Sequence, residues 1–290
     1  MTPCKCTLLA SILLAASAAT ATAAPILGLS GDKTLVMFDS AKPDVTKSMD
    51  VSGVDKLVGI DYRPGTKTVV GVTSDGTIVT IDLASGAATP VGKMDKPLPM
   101  ADAAVVVDFN PMADRLRFMT GTTNHRVHPD TGAVTVDGTL AFEEGDANKG
   151  ATPKIAAAAY TNSFGKPEAT QMFNVDTGLG ALLQQTKPND GTLKTIGTLG
   201  LASMPANAAF DIQATSDAVN TAWLVAGDKL YTVNLETGAA TEAGAITGAP
   251  GSITDIASAG LALTLRNFCR LLVWAKRNSS PSQANHIALT

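Results

Sequence analysis

Histidine and cysteine are almost missing from this sequence, and with them most catalytic and metal-binding chemistry. Of 290 residues, three are Cys and three are His. Cys4 and Cys6 stand at the very start and Cys269 in the last stretch, so residues 25–260 hold no cysteine and no disulfide framework. That body keeps only His125 and His128. Three apart on a strand, they face opposite sides and make no joint metal site. No G-x-S-x-G supports a Ser-His-Asp triad and no Gly-rich phosphate loop is present. Ser30-Gly31-Asp32-Lys33 matches S-x-x-K, but within an expected turn. Aromatics are scarce, at 4%.

Basic residues are short where they matter. Of the 22 Lys and Arg, one lies in residues 1–24 and four in 261–290. Residues 25–260 therefore carry 17 bases against all 26 acids, a net charge of −9. Nucleic-acid binding needs clustered Lys and Arg to neutralise phosphates, so that class is excluded. Long apolar runs are also absent. The run from Leu8 to Ala16 is too short to cross a membrane, and no transmembrane segment is expected in the mature chain. It follows Lys5 and precedes the small residues Ala21-Thr22-Ala23, the pattern of a secretory signal peptide over 1–24. Export without disulfides suits a bacterial periplasm or the exterior.

What the chain does have is repetition. A strand ending in aspartate recurs as GIDYRP (59–64), VVDFNP (106–111), AFDIQ (209–213) and TDIAS (254–258). AAAYTNS (157–163) is a further copy with Ala159 in the aspartate position. The aligned positions 61, 108, 159, 211 and 255 are 47, 51, 52 and 44 residues apart. A strand running into an Asp/Glu-x-Thr/Ser-Gly turn recurs at 78–92, 125–138, 172–183 and 230–244, with a looser copy at 35–49. Several short strands per period of this length point to an all-β fold, a single β-propeller. Residues 57–92 show the unit: LVGIDYR, TVVGVTS, TIVTIDL and ATPVG, separated by Pro64-Gly65, Asp75-Gly76 and Ser85-Gly86. The last first-strand copy lacks a turn strand after it, and the looser copy at 35–49 lacks a first strand before it. Joined, they make one blade closed by both chain ends, which leaves few free edges. Five blades over 25–260 are expected, with six the alternative. Residues 261–290 carry no acid and break the repeat, as a basic tail or a stretch out of frame.

The order LVGIDYRP (57–64), VDFNPMADRLRF (107–118), NHRVHPDTGAV (124–134), AAAYTNS (157–163), QQTKPNDGTLKTIGTLG (184–200), AFDI (209–212) and LYTVNLETGAAT (230–241) resembles the bacterial domain-of-unknown-function family 4394 (DUF 4394). The resemblance implies an exported propeller-like domain with no established activity. The family's strongest positions would map to Asp61, Arg63, Asp108, Asn110, Asp114, Arg115, Arg117, Asn124, Arg126, Asn189 and Asp190.

Two groups of residues carry candidate chemistry. Arg115 and Arg117 share one face of a strand, and a hairpin would set Asn124 and Arg126 beside them. With Asn110 and the Pro188-Asn189-Asp190-Gly191 loop, they make a candidate ligand site, since guanidinium forks match planar anions. The structural reading has the arginines pair with Asp61, Asp108 or Asp114 and lock blade to blade. The loop reads first as a turn. Asp61, Asp108, Asp211 and Asp255, at equivalent inner positions, could ring the axis and hold a hard cation, with Ca²⁺ the candidate cofactor. Their structural use is to accept hydrogen bonds at blade junctions. No catalytic residue is assigned. The expected function is a monomeric, exported, non-catalytic module that binds a small molecule or a protein partner. The alternatives are a calcium-dependent, lactonase-like hydrolase and a structural module of envelope assembly.

Overall fold

The computed structural model describes residues 24–96, 104–216 and 219–258. The proposed leader (1–23 of it) and the basic tail 261–290 lie outside the described residues. Among the described residues there are 21 strands and no helix.

The chain starts with β1 (Pro25–Ser30), β2 (Thr34–Asp39) and β3 (Lys42–Asp50). The first blade is β4 (Leu57–Arg63), β5 (Thr68–Thr73), β6 (Thr77–Ile81) and β7 (Ala88–Lys93). The second is β8 (Val105–Asn110), β9 (Arg115–Thr120), β10 (Thr123–Val127) and β11 (Val134–Val136). A short connector, β12 (Ala141–Phe142), leads to the third blade: β13 (Ile155–Tyr160), β14 (Met172–Asp176), β15 (Ala181–Lys187) and β16 (Thr192–Thr198). The fourth is β17 (Ala208–Ser216), β18 (Val219–Ala226), β19 (Lys229–Val233) and β20 (Ala240–Ala245). Finally β21 (Ile253–Ala257) pairs antiparallel with β1 and completes the sheet β21-β1-β2-β3.

The result is a five-bladed β-propeller whose first and last strands share the closing blade, as the unmatched repeat halves require. The inner strands β4, β8, β13, β17 and β21 touch one another in that order and close the ring. Within each blade, antiparallel pairing follows the turn chemistry. The β9–β10 hairpin reverses at Gly121 and sets Arg126 opposite Arg117. The third blade gains a fifth strand, because β12 pairs parallel with the outer strand β16 and covers its edge.

Blade strands read as nearly continuous apolar runs because both faces of each sheet are covered. Five packed layers fill the spaces between blades. Leu27, Leu29 and Leu35 meet Leu57, Ile60 and Tyr62. Val70 and Ile78 meet Phe109, Leu116 and Phe118. Val106 and Met119 meet Ala158, Tyr160, Met172 and Leu183. Phe173 and Leu182 meet Phe210 and Leu224, and Trp223 and Val225 meet Ile26, Val36 and Phe38. Each such large side chain contributes about 1.5–3 kcal/mol on burial. The layers pack each blade against the next around the ring.

The Thr-Gly turns join blades as well as strands. Gly132 and Gly238 adopt φ of 73° and 81°, the left-handed region that favours glycine. A Cβ on Gly132 would run into the backbone of Lys93, on the outer strand of the preceding blade. One on Gly238 would lie 2.5 Å from the Gly197 carbonyl oxygen. Each turn therefore abuts the neighbouring blade so closely that a side chain has no room.

Ala24 is buried, its N–H donates to Ser40 Oγ at 3.0 Å, and its carbonyl accepts from Ser40 N at 2.8 Å.

Candidate functional site

The repeated aspartates have a structural use at the axis. Asp61 accepts from Tyr62 N at 2.6 Å on its own strand and from Phe109 N at 2.7 Å on the next blade. Asp108 accepts from Tyr160 N on the third blade at 3.0 Å. Asp211 accepts from Ile212 N at 2.7 Å and, across the junction to the closing blade, from Ser258 N and from Ser258 Oγ at 2.6 Å. Asp255 accepts from Ile256 N at 3.0 Å and from Ile60 N on the first blade at 2.8 Å. Four of the five junctions are thus stitched by a carboxylate. At the third-to-fourth junction Ala159 offers none, and an amide pair replaces it. Asn162 N donates to Asn220 Oδ1 at 2.7 Å and Asn220 Nδ2 donates back to Asn162 Oδ1 at 2.8 Å.

The stitches crowd charge at the axis. One carboxylate oxygen each from Asp61, Asp108 and Asp211 lie within 4.8 Å of one another, all buried. Asp255 is not one of those three. Burial first, and the neighbouring carboxylates second, push Asp61 and Asp108 well above the usual carboxylate range. Burial also pushes Asp255 well up, against the pull of its backbone donors. An all-oxygen donor set of this kind fits a hard cation such as Ca²⁺. It can equally be neutralised by protons shared among the acids.

The arginines do not form an anion clamp. Among the described residues, the Arg115 guanidinium donates to the nearby carbonyls of Ala113 and Asp114 and to no carboxylate. Arg63 forks onto Asp114 through Nε at 2.7 Å and Nη2 at 2.6 Å, and reaches Asp130 at 2.5 Å. That arrangement ties the first blade to the second and holds both carboxylates below their usual range. Arg117 stands directly across from Asp108 in the sheet, yet its guanidinium turns elsewhere. For Arg117 the expected Asp61, Asp108 or Asp114 is corrected to Asp137, because Asp61 and Asp108 serve the axis; Asp114 does pair with an arginine, Arg63. Arg117 Nη1 lies 2.7 Å from Asp137 Oδ2 and 2.8 Å from Asn124 Oδ1. Its Nε donates to the Tyr160 hydroxyl at 3.1 Å and its Nη2 to Asn189 Oδ1 at 3.3 Å. The Arg117 and Asp137 side chains are 1% and 4% exposed. Arg126 forks onto the same carboxylate, with Nε at 2.7 Å and Nη2 at 3.0 Å.

Above this network a cleft of about 400 Å³ opens at the rim between the second and third blades. Asn110, Met112, Tyr160, Thr170, Lys187, Pro188, Asn189 and Asp190 line it. Of the residues singled out from sequence, Asn110, Asn189 and Asp190 line the cleft. Arg117 and Asn124 lie beneath it, Asn124 Nδ2 donating to Pro188 O at 2.8 Å. The loop Pro188–Gly191 is the β15–β16 turn, as expected of its residues, and also a wall of the cleft. Burial raises the Tyr160 phenol, so it stays protonated as a hydrogen-bonding group. Sequence reasoning missed Tyr160, Lys187 and Asp137. Asp137 carries no signal in the sequence, and only its burial under two arginines marks it.

The sequence profile of a domain of unknown function (DUF4394) matches residues 34–257. The chain belongs to the DUF4394 family. No curated protein matches it in sequence. Among solved structures, this DUF4394 chain is similar to a protein of unknown function from Bacteroides thetaiotaomicron VPI-5482, at 17% identity and a TM-score of 0.49, over 82% of this chain and 65% of that one. It is also similar to an auxiliary nutrient binding protein from Bacteroides ovatus ATCC 8483, at 10% identity and a TM-score of 0.43, over 68% of this chain and 55% of that one. The DUF4394 chain thus spans less than two thirds of the length of either. No helix among the described residues is long and apolar enough to cross a membrane.

Proposed function

We propose that this DUF4394 propeller is an exported, monomeric, non-catalytic module that binds a small molecule in the rim cleft between its second and third blades. The observation that carries this reading is the preorganised floor and wall. A buried arginine holds both the Tyr160 hydroxyl and the Asn189 side chain in place before any ligand arrives. Fixing polar groups in advance lowers the entropy lost on binding. Concave sites with a few well-placed polar groups are where small ligands bind.

The test is a thermal-shift screen of sugars, dicarboxylates and amino acids, followed by calorimetry on the hits. A ligand at one hundred times its Kd stabilises by about 2.7 kcal/mol. The binding must weaken in Asp190→Ala; a hit that ignores this change removes the cleft as the site. A second reading, a calcium-dependent hydrolase, has the three axial carboxylates in its favour. It requires that Ca²⁺ raise the melting temperature and a chelator lower it. Identical melting in both conditions discards it.

A further inference from the structure

We infer that the ligand of the rim cleft is a neutral polyhydroxylated ring, a pyranose sugar or a short chain of them. The inference rests on the cleft being the binding site. Charge comes first. The lining holds one cation, Lys187, and one anion, Asp190. Arg117 beneath is already engaged by Asp137, Asn124, Asn189 and Tyr160. A phosphate or dicarboxylate would find no free guanidinium fork and would face Asp190. Hydrogen-bonding type comes second. The side-chain amides of Asn110 and Asn189, the Asp190 carboxylate and the Lys187 ammonium mix donors with acceptors over a small area. A sugar hydroxyl gives one hydrogen and takes two, so neighbouring hydroxyls on a ring use such a mixed set fully.

Shape is the third argument. Met112 is 43% exposed, lifted by a turn in which Asn110 Oδ1 accepts from Met112 N and Ala113 N, each at 3.0 Å. With Pro188 it offers a small apolar surface for the C–H face of a pyranose. Beneath the β15–β16 turn, Gln185 is 2% exposed. Its Nε2 donates to Pro188 O at 2.9 Å, while its Oε1 has no partner among the described residues. That leaves a buried acceptor that a water under the loop can satisfy, although Gln185 itself lines neither cleft. Finally, a second cleft of about 490 Å³ shares Lys187 and Asp190 and runs on past Phe142 and Glu143. The two clefts straddle the β15–β16 turn, so more than one ring can be seated in line.

The experiment is calorimetric titration of the full mature chain with glucose, galactose, mannose and xylose and with their di- and trisaccharides. Citrate, inorganic phosphate and glutamate serve as the charged probes. The expected result is binding of at least one neutral sugar, tighter for the trisaccharide, and little changed between low and high salt. Asp190→Asn and Asn189→Ala should each weaken it tenfold or more, at unchanged melting for Asp190→Asn, while Arg115→Ala binds as wild type. Binding of a charged probe that these variants abolish overturns the sugar and leaves the cleft standing. Sugar binding that survives both variants overturns the cleft as well. Failure of every sugar overturns the inference.

Discussion

Arg117→Ala tests whether the second and third blades are held together as described. The guanidinium, 1% exposed, links β9 to Asp137, Asn124, Tyr160 and Asn189. Removing one partner of a buried ion pair costs about 3–5 kcal/mol, mainly because the other charge is orphaned. Here Asp137 keeps Arg126, so that part falls to about 2 kcal/mol. Tyr160 and Asn124 each lose a donor, at about 1 kcal/mol apiece. The expected loss is about 3–4 kcal/mol, or roughly 10 °C in Tm for a domain of this size. Arg126→Ala should cost only about 1 kcal/mol, since its side chain is 35% exposed and Asp137 retains Arg117. The double variant strands Asp137 with no cation, so its loss should exceed the sum of the singles by at least about 1 kcal/mol. Urea unfolding monitored by tryptophan fluorescence and far-UV dichroism reads all three. If the double does not fold, adding Asp137→Asn to it should restore folding by removing the orphaned charge. Additive losses, or a loss under about 1 kcal/mol for Arg117→Ala, would refute the shared-carboxylate reasoning.

Other changes give equally definite outcomes. Arg115→Ala should stay within about 0.5 kcal/mol of wild type, since among the described residues its guanidinium donates to neighbouring backbone carbonyls and to no carboxylate; a large drop in urea midpoint would show a missed partner. Asp61, Asp108 and Asp255 have raised folded pKa values, so the stability they favour is full below the unfolded carboxylate value and is lost as pH rises towards the folded ones. Asp108→Asn keeps an acceptor for Tyr160 N and removes the charge, so its stability relative to wild type should climb as pH rises above the unfolded carboxylate range, by up to about 1.4 kcal/mol per pH unit. Parallel curves would exclude a proton held at Asp108. Gly238→Ala should cost about 2–3 kcal/mol, from a left-handed backbone and a collision with Gly197, and a neutral result in thermal melts would contradict the blade contact. If the chain is exported as proposed, mass spectrometry of the mature form should find Ala24 at the N-terminus, since Ala24 is buried and bonded to Ser40; an unprocessed N-terminus, or a start several residues further on, would count against the leader.

The blade plan was legible in the linear chain because its causes are local and periodic. Alternation along a strand, Asp-Gly and Thr-Gly at the reversals, and a repeat of 44 to 52 residues set which segments pair and how many blades there are. Even the closing blade follows from two unmatched halves of that repeat, at 35–49 and 254–258. The inner position of the aspartates was legible for the same reason, since equivalent repeat positions occupy equivalent places in a ring. Which side chains meet was decided only by the tertiary structure. Arg117 has Asp108 directly across from it in the sheet, but takes Asp137 twenty residues on and Asn189 seventy-two residues on. That choice depends on the spacing between two blades and on the rotamer that fits it. Asp108 is withdrawn to the axis by Tyr160 N, from the next blade. The cleft, too, is made of the loop after β8, the inner strand β13 and the β15–β16 turn, segments up to 80 residues apart that only ring closure sets side by side.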